Sequence, residues 1–109
     1  MGIPFFDETR QVLKKHENVY ADVAFTASYD DVRSFAERHG MEAVLPTREI
    51  WRATLAALIN EFGCERILYG SDFPFVRPRT ALDEFLQLSL SDDTKEKILL
   101  ENARRVLRL

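Results

Sequence analysis

A single cysteine, Cys64, stands among the 109 residues, so no intramolecular disulfide can form and a thiolate metal site would need a further ligand nearby. The expected setting is a reducing cytoplasm. Glycine and proline are also scarce, four of each, which excludes collagen, low-complexity tracts and most disorder. Basic residues are outnumbered, 15 Lys and Arg against 18 Asp and Glu for a net charge of -3, and no stretch gathers them into a stripe able to neutralise several phosphates. The reading therefore has no nucleic-acid partner. Long hydrophobic runs are missing too: the stretch from Ala53 to Ile59, with Thr54 inside it, falls far short of the roughly 20 residues that span a bilayer. The first residues, Met1 to Phe6, lack the basic region and apolar core of a signal peptide, and Phe6 stands where a myristoylation motif wants Ser or Thr. No membrane partner is expected. What is present, 46% hydrophobic and 30% charged residues, is the composition of one globular unit without room for a second core.

Hydrophobic periodicity divides the chain into seven elements. Steps of three and four predict a helix over residues 5 to 16, behind Pro4. Asn18 to Phe25 is rich in β-branched and aromatic residues, and alternation puts Val19, Ala21, Val23 and Phe25 on one face of a strand. Asp22 then shares the opposite, inward face with Tyr20 and Ala24, where a carboxylate needs a hydrogen bond or a partner. Asp30 or Asp31 can cap a brief helix over Val32, Phe35, Ala36 and His39, stopped by Gly40 in the left-handed region. Thr47 is the candidate N-cap of a four-turn helix with Trp51, Leu55, Leu58, Ile59 and Phe62 along one stripe and Gly63 at its end. Arg66 to Gly70 reads as a second strand, and Ser71 to Arg79 as a loop, because Pro74 and Pro78 forbid regular pairing through it.

Thr80-Ala81-Leu82-Asp83 matches a capping pattern before a helix with Leu82, Phe85 and Leu86 inward. Ser91-Asp92-Asp93 opens a last helix, whose stripe is Ile98, Leu99, Ala103, Val106 and Leu107. Asn102 inside that helix is a poor helix former, so a tertiary hydrogen bond from its amide to the strand ends is expected. Strands alternating with helices predict a parallel α/β arrangement joined by right-handed crossovers. Two parallel strands alone leave open edges and need cover on both faces, so the chain reads as part of a larger fold.

Three segments carry a resemblance. They are Lys15-His16-Glu17-Asn18-Val19-Tyr20-Ala21-Asp22, then Phe62-Gly63-Cys64-Glu65-Arg66-Ile67-Leu68-Tyr69-Gly70-Ser71-Asp72-Phe73-Pro74, then Leu90-Ser91 through Glu101-Asn102-Ala103-Arg104-Arg105-Val106-Leu107. In this order and spacing they resemble the C-terminal part of the amidohydrolase-related (amidohydrolase 2) family of metal-dependent TIM-barrel enzymes. The resemblance implies a C-terminal fragment of a (β/α)8 barrel, two parallel strands with about five helices, residues 1–109 forming a single partial domain. It implies a hydrolase or decarboxylase acting on small cyclic or aromatic carboxylic acids, lactones or amides. The family's aspartate after the last strand completes a metal site or acts as a general base, a role that falls on Asp72. Its cofactor is a divalent ion, zinc or manganese, in the complete barrel. The His-x-His pair and the middle-strand histidines have no counterpart here, and His16 and His39 sit at element ends. The chain alone is therefore expected to be inactive and to bind no metal tightly.

Beside each of these assignments stands a plainer reading. Asp72 can simply cap a turn before Pro74, although its flanks favour the catalytic and metal-binding role. Gly70 and Ser71 read as structural, the one allowing close backbone approach and the other bonding the loop. Phe73 and Arg77 are assigned to substrate binding, with loop packing for Phe73 and a solvated guanidinium for Arg77 as the alternatives. A small-molecule substrate is expected in the complete enzyme, and the expected partner is the remainder of the barrel or further copies of the chain. The competing function is a non-catalytic remnant or a self-assembling interaction domain.

Overall fold

The computed structural model describes residues 5–109. Among them are two strands, β1 (Ala21–Asp22) and β2 (Ile67–Leu68), paired in parallel with Ala21 opposite Ile67 and Asp22 opposite Leu68. Five helical bodies surround them: α1 (Phe6–Lys15), α2 (Tyr29–Arg38), α3 (Arg48–Phe62), α4 (Pro78–Leu86), and a last rod made of α5 (Asp92–Glu96), a π-helical segment (Lys97–Glu101) and α6 (Asn102–Leu107). A 3-10 turn, Glu42–Val44, joins α2 to α3. The crossover from β1 to β2 therefore runs through α2 and α3, as parallel neighbours require. The whole is α/β and consistent with a fragment of a TIM barrel.

The α3 stripe forms as its spacing predicts. Thr47 accepts the Ile50 N–H at the N-cap, and Trp51, Leu55, Leu58, Ile59 and Phe62 are all buried. Leu55 and Ile59 join Val23, Ile67, Phe85 and Ile98 in one core cluster, which sits between the strands and the helices that cover them. Gly40, at φ +67°, follows α2 where a left-handed residue was expected, with the Met41 N–H reaching back to the Ala36 carbonyl at 2.8 Å.

Both strands are shorter than their composition suggests, and competing hydrogen bonds are the reason. After Asp22 the chain turns: its Oδ1 accepts the Ala24 N–H at 2.9 Å, and the Ala27 N–H returns to the Val23 carbonyl. Phe25 lies at φ +62°, off the strand path. Asp22 is exposed in this chain; the enclosed inner face that alternation assigns to it requires strands beyond the two described. Beyond β2, the Tyr69 N–H donates to the Ile98 carbonyl in the last rod at 3.1 Å. The i→i+5 register of the π segment loosens the helix's own claim on its carbonyls at that point.

Three further expectations are corrected. The cap of α2 is Ser28, one position before the helix, and its hydroxyl donates to Asp31. The first turn of α4 starts at Pro78, whose ring presets the helical φ, and so precedes Thr80. Leu86 is 45% exposed while Ala81, Phe85 and Leu88 face the core, and Val106 and Leu107 lie outside it at the end of α6, where the helix outruns the elements beneath it.

Asn102 is fully buried, and its Nδ2 donates to the Cys64 carbonyl at 2.6 Å and to the Ile67 carbonyl at 2.8 Å. This is the tertiary bond its presence in a helix suggested. Replacing Asn102 with Leu removes both bonds and takes this donor from the Ile67 carbonyl in a buried site, a cost of about 1 to 3 kcal/mol, while the Cys64 carbonyl keeps the Ile67 N–H. The expected outcome is a loss of about 2 kcal/mol in urea unfolding, and a loss below about 1 kcal/mol would contradict the latch.

Candidate active site

A cavity of about 880 Å3 opens where both strands end. Ala24, Phe25 and Thr26 bring the turn after β1 to it, Asp72 and Phe75 the loop after β2, and α2 and Trp51 of α3 close the far side. The two strand ends lie close together, because a Cβ on Gly70 would come within 3.0 Å of the Ala24 Cβ. Only glycine fits there without displacing the β1 turn. That turn is anchored from above and below: Trp51 Nε1 donates to the Thr26 carbonyl at 2.9 Å, and the Thr26 hydroxyl donates to the Val23 carbonyl at 2.8 Å.

The loop carrying Asp72 is held by its own backbone. Asp72 sits at φ +69°, a left-handed conformation that aspartate tolerates better than most residues. Its carbonyl accepts both the Phe75 and Val76 N–H groups, and the Ser71 hydroxyl accepts the Phe73 N–H at 3.3 Å. Val76 is buried and pins the loop to the core. The Asp72 side chain is exposed at the cavity wall. Of the apolar loop residues, Phe75 lines the cavity, whereas Phe73 is 72% exposed beside it. Arg77 is exposed at the N-cap position of α4, and Arg79 pairs with Asp83 one turn on. His16 and His39 cap the C-terminal ends of α1 and α2, and the His39 ring stacks on Phe35 with centroids 4.0 Å apart.

A charged clamp fixes the helical wall. Glu84 of α4 accepts from Arg48 and Arg52 of α3, each at 2.8 Å, while Arg48 also donates to Asp30 of α2 at 2.7 Å. The Arg48 guanidinium lies 5.0 Å from the centre of the Tyr29 ring, and the Tyr29 hydroxyl donates to the Pro46 carbonyl. These contacts tie α2, α3 and α4 into one surface. The sequence offers Asp30 and Asp31 only as helix caps, whereas the structure puts Asp30 in this clamp and Asp31, the second carboxylate, at the cavity wall. The signal for Asp31 was there: Ser28-x-x-Asp31 is itself a capping pattern.

The model of the amidohydrolase family matches residues 1–109. The chain belongs to the amidohydrolase family. No curated protein and no solved structure gives a significant match. In this amidohydrolase chain the donors at the cavity wall are the carboxylates of Asp31 and Asp72, and among the described residues no three His, Cys, Asp or Glu side chains converge on a point. The residues described thus do not make up by themselves the metal site that the family implies. Among these residues no helix is long and apolar enough to cross a membrane.

Hydrogen bonding to Arg48 holds the Asp30 carboxyl below its ordinary range, with the charges of Arg48, Arg33 and Arg52 assisting against the cost of burial. A depressed folded-state pKa contributes stability that is complete above the unfolded value, near 4, and is lost as pH falls through the folded value. Removing the partner by Arg48→Met should flatten this share of the acid-side loss of stability below about pH 4. Urea midpoints measured at stepped pH check it: equal pH slopes in the parent and the variant would refute the coupling.

Proposed function

We propose that this chain forms the C-terminal part of an amidohydrolase barrel, a single partial domain, which as a complete enzyme acts as a hydrolase or decarboxylase on small cyclic or aromatic carboxylic acids, lactones or amides. The observation that carries this reading is the position of Asp72, on a braced loop four residues beyond a parallel strand and at the wall of the cavity where both strands end. Active sites of barrels gather at that face. There an ionised carboxylate takes a proton from an attacking water or ligates a divalent ion. Zinc or manganese would take Asp72 as one ligand and the others from the rest of the barrel. Phe73 and Arg77 follow on the same loop and serve substrate binding. The setting is the reducing cytoplasm, where Cys64 stays a thiol.

In a completed barrel, Asp72→Asn should lower kcat by about 100-fold or more, the usual contribution of a positioned acid or base. Steady-state kinetics against a panel of lactones, amides and aryl carboxylates reads it, and unchanged turnover would sink the assignment.

A second reading, a non-catalytic remnant or a self-assembling interaction domain, rests on the apolar surface left open beside β1. Both readings need a partner, either the remainder of the barrel or further copies of the chain. The exposure of Tyr20 (42%), Val12 (47%) and Phe5 (61%) around a hollow beside β1 supports that need. At about 25 cal/mol per Å2, a few hundred Å2 of such surface is comparable with the whole stability of a small domain. Light scattering after size exclusion should therefore give a mass above the 12.7 kDa of one chain. A strictly monomeric peak with a sharp cooperative melt would count against both readings.

A further inference from the structure

Five rings line the cavity, those of Phe6, Phe25, Phe35, Trp51 and Phe75, and its volume of about 880 Å3 is that of a pocket for a compact organic molecule. Phe25 and Phe35 meet edge to face with centroids 5.8 Å apart, as do Phe6 and Trp51 at 5.4 Å, so the wall is already packed as aromatic surfaces prefer. Set into it is Asp31, half-buried in the first turn of α2 and fixed by a hydrogen bond from the fully buried Ser28 hydroxyl. The other charged groups at the wall are Asp72, exposed on its loop, and Arg38, whose Nε is committed to the Ser34 carbonyl.

An ionised carboxylate only accepts hydrogen bonds. Held rigidly among rings, it penalises any ligand that covers it without offering a donor. We propose that this cavity takes a compact aromatic ligand bearing a hydrogen-bond donor, and that Asp31 is the residue that selects for the donor. The inference rests on the amidohydrolase reading for its link to substrate. It concerns the recognition of the ring and its donor, whereas Asp72 concerns the chemistry. All the walls named come from this chain.

The test uses the full 109-residue chain in whichever assembly it forms, with 2-naphthol and 2-methoxynaphthalene as probes. Trp51 is the sole tryptophan, so its indole N–H gives one resolved nuclear magnetic resonance signal at the cavity wall. Titration with 2-naphthol should shift that signal to saturation, and 2-methoxynaphthalene should bind about tenfold or more weakly, the usual worth of one hydrogen bond to a charged group. Asp31→Ala should bring the two affinities together while keeping ring binding, and Asp31→Asn, which preserves the shape of the first turn, should narrow the gap. Filling the cavity by Thr54→Trp should abolish both, read by saturation-transfer signals from the probes. Equal affinities in the parent chain, discrimination that survives both Asp31 variants, or no uptake of either probe would overturn the proposal. Any of these results alongside a large kcat loss in Asp72→Asn removes this inference alone, while selective uptake with no Asp72 effect removes the catalytic reading.

Discussion

The buried amide of Asn102 is the contact on which the arrangement of this chain depends. Two residues of pairing per strand make a sheet far too small to hold its own register, and the bonds that fix β2 come instead from the last helical rod. Asn102 holds the carbonyls at Cys64 and Ile67, before and inside the strand, and the Ile98 carbonyl holds the N–H just after it. Arg105 extends the grip by donating to the Glu65 carbonyl and to Asn102 Oδ1. Its other guanidinium nitrogen and Lys97 both reach the Glu65 carboxylate, which holds that carboxyl below its ordinary range. The strand is thus bonded along its length to a helix as well as to its neighbour.

On the other side the analogous part belongs to Trp51. Its indole N–H fixes the turn after β1 from α3, while its ring packs against Phe6 and Tyr29. One side chain therefore sets the spacing between the first helix, the crossover and the strand end. With Gly70 admitting Ala24 at close range, the two loops that follow the strands are forced to one side of the sheet. The cavity is the space that remains between those loops and the α2 wall clamped by Glu84, Arg48 and Asp30.

Two kinds of exposed surface follow from this construction, and they ask for different things. At the strand ends, rings and carboxylates face a concave space of molecular size, which suits a small ligand. Beside β1, apolar side chains and a strand edge face solvent without enclosing anything, which suits more polypeptide. A barrel assigns these tasks to different places as well, its chemistry at the C-terminal face and its assembly along the strand edges.

By itself the sequence determined the helices and the family, because both are written in local patterns. The α3 stripe and its Thr47 cap, the Gly40 stop, the parallel order of the strands and the exceptional Asn102 could all be read from spacing and residue type. The motif around Gly70-Ser71-Asp72 located the loop that reaches the cavity. Tertiary structure alone decided where the strands stop and which groups face the cavity. Those outcomes depend on competition for backbone hydrogen bonds between distant elements, Tyr69 with Ile98 and Thr26 with Trp51, and no local period encodes a partner 25 or more residues away. The same holds for Asp22 and Asp31. Alternation puts the first on the inner face of a sheet whose cover lies beyond these two strands, and capping puts the second at a helix start, but only the packing of α2 against α3 brought Asp31 to the wall.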